Sequence, residues 1–229
     1  MSNTNLVRLL QLTDPTLPVG GFSHSYGLET YVQKQLVHDA ASAKDFVLQM
    51  LTQNIHFTDA AFVSLAYDSI AHKNIEQVLE LDEECNAVKL PRELREASLK
   101  MGMRLLKIFS PMHNDVILQQ FRKETTSRKA FGHYCIVFGL LAFIFNIPKQ
   151  DALAGFYYNA ATGMVTNCVK LVPLGQQQGQ EILFSFQSVI HDLAQKSMNP
   201  DRDLLGLCCN GFDIRSMQHE QLYTRLYMS

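Results

Sequence analysis

The chain has 229 residues, 47% of them hydrophobic and 18% charged, and its 20 basic and 22 acidic side chains leave a net charge of −2. That is ample apolar material for a packed core and excludes a disordered polyelectrolyte. Without a basic excess there is no electrostatic reason to expect nucleic acid or an anionic membrane as partner.

The opening MSNTNLVRLL has no apolar run ending in a small-residue cleavage site, so a cytoplasmic location is expected. Residues 14–22, DPTLPVGGF, read as a sharp turn built on Pro18, Gly20 and Gly21. One of the two glycines is expected at positive φ, and Ser23 is expected to cap the helix that follows. Helices are then expected over 25–35, 42–51, 58–72 and 74–87, with Ser42 and Thr58 as N-caps. In the run 92–109, Leu94, Met101, Leu105 and Ile108 lie on one helical face. Pro91 suits its first turn and Ser110-Pro111 ends it. The stretch 134–145 is the most apolar of the chain. It is shorter than the roughly 20 residues that span a bilayer and reads as a central helix buried on all sides. The runs 152–171 and 181–193 are helical by the same period, and small Gly155, Ala160 and Gly163 allow close helix–helix approach in the first. The pattern breaks at 14–22, at 171–175 and across 199–213. Residues 216–229 read as a short amphipathic tail helix, docked on its own domain or anchoring a partner through aromatic and arginine side chains. Alternating strand patterns and a 20–50-residue repeat are both missing. The expected fold is all-α, a single-domain helical bundle of roughly ten helices over 1–229, with room for a mobile N-terminus and a tail over about 212–229.

The chemistry-bearing residues form no catalytic pattern. The pair Gly20-Gly21 follows no strand and lacks both the Lys-Ser end of a phosphate loop and a three-glycine dinucleotide pattern. Five cysteines, Cys85, Cys135, Cys168, Cys208 and Cys209, are odd in number and irregularly spaced. They read as free thiols in a reducing compartment, acting as small buried hydrophobes. Eight histidines contain no His-Glu-x-x-His. His133 and Cys135 are two apart, which on a helix points them away from each other. His133, Cys135 and His219 are the weak candidates for transient nickel, with no tightly bound cofactor expected. Ser23-His24-Ser25 is not a triad, since neighbours in sequence do not make one. Asp82-Glu83-Glu84 reads as a solvated helix face.

Four segments resemble one family, that of the urease accessory protein F, UreF. The opening LLQLTDPTLPVGGFSHSYGLE over 9–29 resembles the family's Ser-Pro-x-Leu-Pro-x-Gly-x-Phe-x-x-Ser-x-Gly-Leu-Glu, with Asp14 where serine is common. Gly132-His133 followed by Val137-Phe138-Gly139 is similar to the family's central helix. LVPLGQ over 171–176 resembles Arg-Leu-x-Pro-Leu-Gly-Gln, with Lys170 in place of arginine. The closing HEQLYTRLYMS over 219–229 resembles His-Glu-x-x-x-x-Arg-Leu-Phe-x-Ser, with Tyr227 for phenylalanine. Asn210 to Asp213 departs from the Phe-x-Pro common before that tail. The four lie in order and span nearly the whole chain. The resemblance implies an all-α homodimer that serves as a non-enzymatic scaffold for nickel insertion into apo-urease. It implies bridging between a UreD/UreH-type protein and a UreG-type GTPase, with His219, Glu220, Tyr223, Arg225, Leu226 and Tyr227 as the partner-binding set. Two alternative roles are a nickel-binding metallochaperone and a regulator of the GTPase, for which Arg225 is the candidate finger.

Overall fold

Why the polypeptide takes its shape is clearest at one helix with no polar face. In the computed structural model, which describes residues 1–228 and every side chain among them but that of Phe22, α8 (Tyr134–Ile144) is buried from Cys135 through Ala142. A helix apolar all round must be enclosed. Its walls are α4 (Asp59–Ala71) and α6 (Arg92–Phe109), with α9 (Lys149–Leu171), α5 (Ile75–Val88) and α1 (Asn3–Leu12) completing the enclosure. Two glycines set how closely these helices approach. A Cβ at Gly139 of α8 would press on the Val63 carbonyl oxygen of α4, and one at Gly102 of α6 would overlap the carbonyl oxygen of Gly132 just before α8.

The second organiser is α9, at 23 residues the longest helix. It receives α3 (Ala40–Gln49) on one side and α10 (Gln176–Ser185) and α11 (Gln187–Lys196) on another. Leu9 of α1 sits where a side chain at Gly155 would be. Helix α1 also reaches the end of α8: Arg8 donates to the Phe145 carbonyl at 3.0 Å and Asn5 to that of Asn146 at 2.6 Å. The remaining helices are α2 (Leu28–Gln33), α7 (Val116–Thr126) and α12 (Asn210–His219). Among the described residues there are twelve α-helices and no strand, so the fold is all-α with two helices more than the rough expectation. No helix among them is long and apolar enough to cross a membrane.

Several local expectations need correction. Helix α3 starts earlier than expected, because the Asp39 carboxylate, not Ser42, accepts the N-terminal backbone bond; Ser42 is the reciprocal partner of that capping box. A π-helical turn, Met50–Ile55, then extends α3. Thr58 holds the N-cap position of α4, but its hydroxyl donates back to the Asn54 carbonyl. Pro91 precedes α6 as its N-cap residue instead of lying in its first turn. The run 181–193 is two helices that break at Phe186. Ser23 lies in a 3-10 turn and donates to the Gly20 carbonyl, while Gly27 at φ +75° starts α2. The expected irregular approach at 210–213 is the first turn of α12, which ends at His219.

The Gly102 approach predicts a sharp asymmetry. Gly102→Ala forces backbone apart in a packed core and should destabilise by about 3 kcal/mol. Gly211→Ala meets nothing within 4 Å and should be neutral or stabilising by about 0.5–1 kcal/mol. Urea midpoints of the two variants check the contrast.

Candidate partner-binding site

The C-terminal segment is built onto the body by an unusual concentration of charge. His219, the last residue of α12, is fully buried, and both ring nitrogens meet carboxylates: Nδ1 to Glu93 Oε2 at 2.7 Å and Nε2 to Glu29 Oε2 at 2.8 Å. Glu29 comes from α2 and is buried; Glu93 comes from the first turn of α6. Arg225 donates to the other Glu93 oxygen at 2.6 Å. The Arg225 guanidinium and the His219 ring between them engage both carboxylates, and partnered oxygens are what make buried carboxylates tolerable.

The same Glu29 explains why the tail is not a helix. Its oxygens accept the backbone N–H groups of Leu226 at 2.7 Å and Tyr227 at 3.1 Å, and the Met228 N–H goes to the Ser23 carbonyl at 2.9 Å. A helix over 216–228 would spend those donors on its own carbonyls four residues back. The expected helical tail is therefore an irregular strap of turns and bends after His219; Ser229, its last residue, lies outside the described residues. Glu220 anchors the start of the strap by accepting from Arg92 Nη2 at 2.7 Å, and Gln33 donates to the Thr224 carbonyl at 3.0 Å. What the strap presents outward is apolar: Tyr223 is 102% and Leu226 83% exposed. Tyr227 is half-buried, and burial pushes its hydroxyl up. The six residues of the expected partner-binding set thus divide. His219, Glu220 and Arg225 hold the strap through their side chains, Tyr227 through its backbone, and Tyr223 and Leu226 face solvent.

The N-terminal turn leads into the same region. Gly20 sits at φ +85°, with the Arg104 guanidinium where a side chain would be, and Arg104 donates to the Val19 carbonyl at 3.1 Å. Pro18 is exposed and Gly21 opens the 3-10 turn. Met228 closes onto this turn through Ser23, so the first and last segments meet.

The metal candidates are occupied by other partners. The His133 ring contacts Ser98 Oγ at 3.1 Å and Asn86 Oδ1 at 3.3 Å, and burial lowers its pKa to about 3. The Cys135 sulfur lies 3.5 Å from that of Cys85, both buried. Burial pushes the Cys135 thiol up, away from the thiolate a metal needs. Among the described residues no three His, Cys, Asp or Glu side chains are arranged to hold a metal ion. Cys208 is exposed and Cys209 half-buried, so these two are not core thiols as expected. A cavity of about 100 Å³ lies between α4, α6, α8 and α9, lined by Tyr26, Ser98, Met101 and Tyr134 and by the ion pair of Lys89 with Asp59 at 2.7 Å. Burial opposes both charges of that pair. Each partner more than offsets this for the other, leaving the carboxyl lowered and the ammonium raised.

Sequence reasoning quoted Glu29 within a motif without giving it a role, and missed Glu93, Asp59 and Lys89. The available signal was weak: for Glu29, a lone acid between Asp14 and Asp39, directly after Gly27-Leu28.

Two predictions follow from this geometry. Trypsin cuts after Arg225 only when the strap lifts. Glu29→Gln weakens charge-assisted bonds worth about 1.5–3 kcal/mol, so release of the terminal peptide should accelerate tenfold or more under native conditions, as read by mass spectrometry. His133 and His24 are both held neutral by burial, their pKa values lowered from the usual 6.5 to about 3 and about 4. Below pH 6.5 the unfolded chain binds protons that the folded chain refuses. Stability is therefore full above that pH and falls on acidification by up to about 1.4 kcal/mol per pH unit per group. Urea midpoints at pH 7.5 and 5.5 should show the loss.

Comparison with known proteins agrees with the sequence motifs. The family model described as UreF matches residues 37–187. The "Urease accessory protein UreF" of Actinobacillus pleuropneumoniae serotype 5b (strain L20) is 49% identical over 221 residues, covering 96% of this chain and 97% of the relative. That of Haemophilus influenzae (strain PittGG) is 45% identical over 228 residues, covering 100% and 97%. That of Bacillus sp. (strain TB-90) is 31% identical over 224 residues, covering 98% and 99%. These relatives are named as accessory proteins, not as enzymes. With more than half of its length matched by the family model and relatives this similar end to end, the chain belongs to the UreF family of urease accessory proteins.

Proposed function

We propose that the chain is a cytoplasmic, homodimeric scaffold of urease maturation that bridges a UreD/UreH-type protein and a UreG-type GTPase, so that nickel reaches apo-urease through the assembly. Nickel is cargo in this reading and has no resident site on the chain. The observation that carries it is the clamped strap. Six short polar contacts fix a segment whose outward side chains, Tyr223 and Leu226, are almost fully exposed. Ordering a strap costs conformational entropy, and the clamp meets that cost before any partner arrives. A preorganised aromatic and an aliphatic side chain make efficient anchors. Arg225 gives its guanidinium to Glu93, which favours bridging over a role in which Arg225 reaches into the GTPase.

The test is co-purification with both partners, using the full chain, a chain ending at Glu220, and a Tyr223→Ala/Leu226→Ala double variant. Ending at Glu220 leaves α12 in place, unlike a cut within it. The full chain should form the three-component complex. The double variant should weaken the UreD/UreH-type contact tenfold or more with an unchanged urea midpoint. Equal assembly by all three chains would remove the strap from the interface.

A further inference from the structure

The charge of this chain is unevenly placed. Residues 92–130 contain nine Lys and Arg but four Asp and Glu, whereas the rest of the chain contains 11 basic and 18 acidic residues. The basic segment is α6, the turn after it and α7, with the first turns of α7 tied to the end of α6. Gln119 of α7 donates to the Ser110 and His113 carbonyls at the end of α6, at 2.7 and 2.9 Å. Nearer the other end, Met103 of α6 and Thr125 of α7 both lie against Gly132. Lys100, Arg104 and Lys107 of α6, Arg122 of α7 and Lys129, which follows α7, belong to this basic segment. All five are exposed. Lys100 has only a long contact of 3.9 Å to Glu96, and Arg104 donates to a carbonyl. Among the described residues, Lys107, Arg122 and Lys129 take part in no ion pair, and neither do the neighbouring Lys123 and Arg128. At Gly132, which both helices approach, apolar side chains are exposed: Met103 is 37% and its chain neighbour Phe131 is 43% exposed.

We propose that this α6–α7 face docks a partner protein through a carboxylate-bearing surface that closes over Met103 and Phe131. The proposal rests on the scaffold reading in requiring a protein partner, and adds a second surface remote in sequence from the strap. Charge complementarity selects the partner's sign, and an apolar centre within a charged rim is the anatomy of a protein interface. A nucleic acid or an anionic lipid surface fits less well. Glu96 and Glu124 lie within the segment, the remainder of the chain repels polyanions, and the centre of the face offers apolar side chains where phosphates would need donors.

The experiment uses the full chain and a Lys107→Glu/Arg122→Glu/Lys129→Glu variant, all three positions being exposed. Affinity for the co-purified accessory proteins and apo-urease is measured from 50 to 300 mM salt, with unfolding midpoints as a check on folding. A fluorescent 20-residue poly-glutamate peptide, a DNA oligonucleotide and phosphatidylserine vesicles are titrated in parallel. The expected result is a loss of tenfold or more in complex affinity at low salt, a shallower salt dependence and an unchanged midpoint. Complex affinity within twofold of the full chain overturns the proposal, as does tighter binding of the full chain to DNA or vesicles than to poly-glutamate. Should the full chain form no complex, the scaffold reading fails, and the peptide decides the face alone. Peptide binding abolished by the triple variant sustains an acidic-partner surface; peptide binding unchanged or absent refutes it.

Discussion

A single carboxylate fixes how the core helices meet. Asp82 of α5 has no exposed surface and accepts three successive backbone N–H groups, from Phe131 at 2.6 Å, Gly132 at 2.8 Å and His133 at 2.9 Å. Burial raises its pKa, while the three donors work in the opposite direction. A charge so deep is tolerable only with that many donors aimed at it. By gathering those amides, Asp82 holds the segment that enters α8. That segment carries the Gly132 carbonyl against Gly102, and the His133 ring against Ser98. The sequence reading placed Asp82 on a solvated face beside Glu83 and Glu84; it turns inward while both neighbours stay at least partly open to water. From this one contact α5, α6 and α8 acquire their mutual positions.

The second polar centre, around His219, works at the edge of the fold with the same chemistry. Glu29 spends its oxygens on an imidazole and two backbone amides, as Asp82 spends its own on three amides. The difference lies in what is held. Asp82 fixes a segment inside the core, whereas Glu29 and Glu93 fix a chain end whose other side is open to solvent. A clamp made of charge-assisted bonds is strong when closed and sensitive to every member, since losing one partner strands another buried charge. For an accessory protein that is not itself an enzyme, control over where a few exposed side chains stand is one means of action.

What was legible in the sequence was whatever repeats with the helical period. Helix α6 was read correctly from end to end, because its apolar face is regular and prolines bracket it. The buried character of α8 was equally plain, as its apolar residues leave no polar face. Periodicity fails where the backbone breaks but the face continues. Ile182, Leu183, Phe186, Ile190 and Leu193 are all buried, so α10 and α11 looked like one helix although the backbone turns at Phe186. Asn210-Gly211, at the end of the stretch 199–213 where the helical pattern breaks, starts a helix, because Phe212 and Ser216 of α12 have buried places to occupy. The charged centres were illegible for another reason. Glu29 and His219 are 190 positions apart, Asp82 and His133 are 51 apart, and nothing local marks an acid whose partner arrives so much later. Resemblance of the closing motif singled out the segment that forms the strap, but it did not separate the side chains that hold the strap from those it displays.

The Gly102 contact also shapes how relatives of this chain can diverge. Most core contacts join two side chains, so a larger residue on one side can be matched by a smaller one on the other. At Gly102 the opposing surface is the peptide backbone of Gly132 and His133, which no substitution can shrink. Drift at this position has no compensating partner, and the helix pair can be inherited only whole. Positions of this kind leave no trace of correlated change, so a contact map inferred from covariation would miss the approach of α6 to the segment that enters α8.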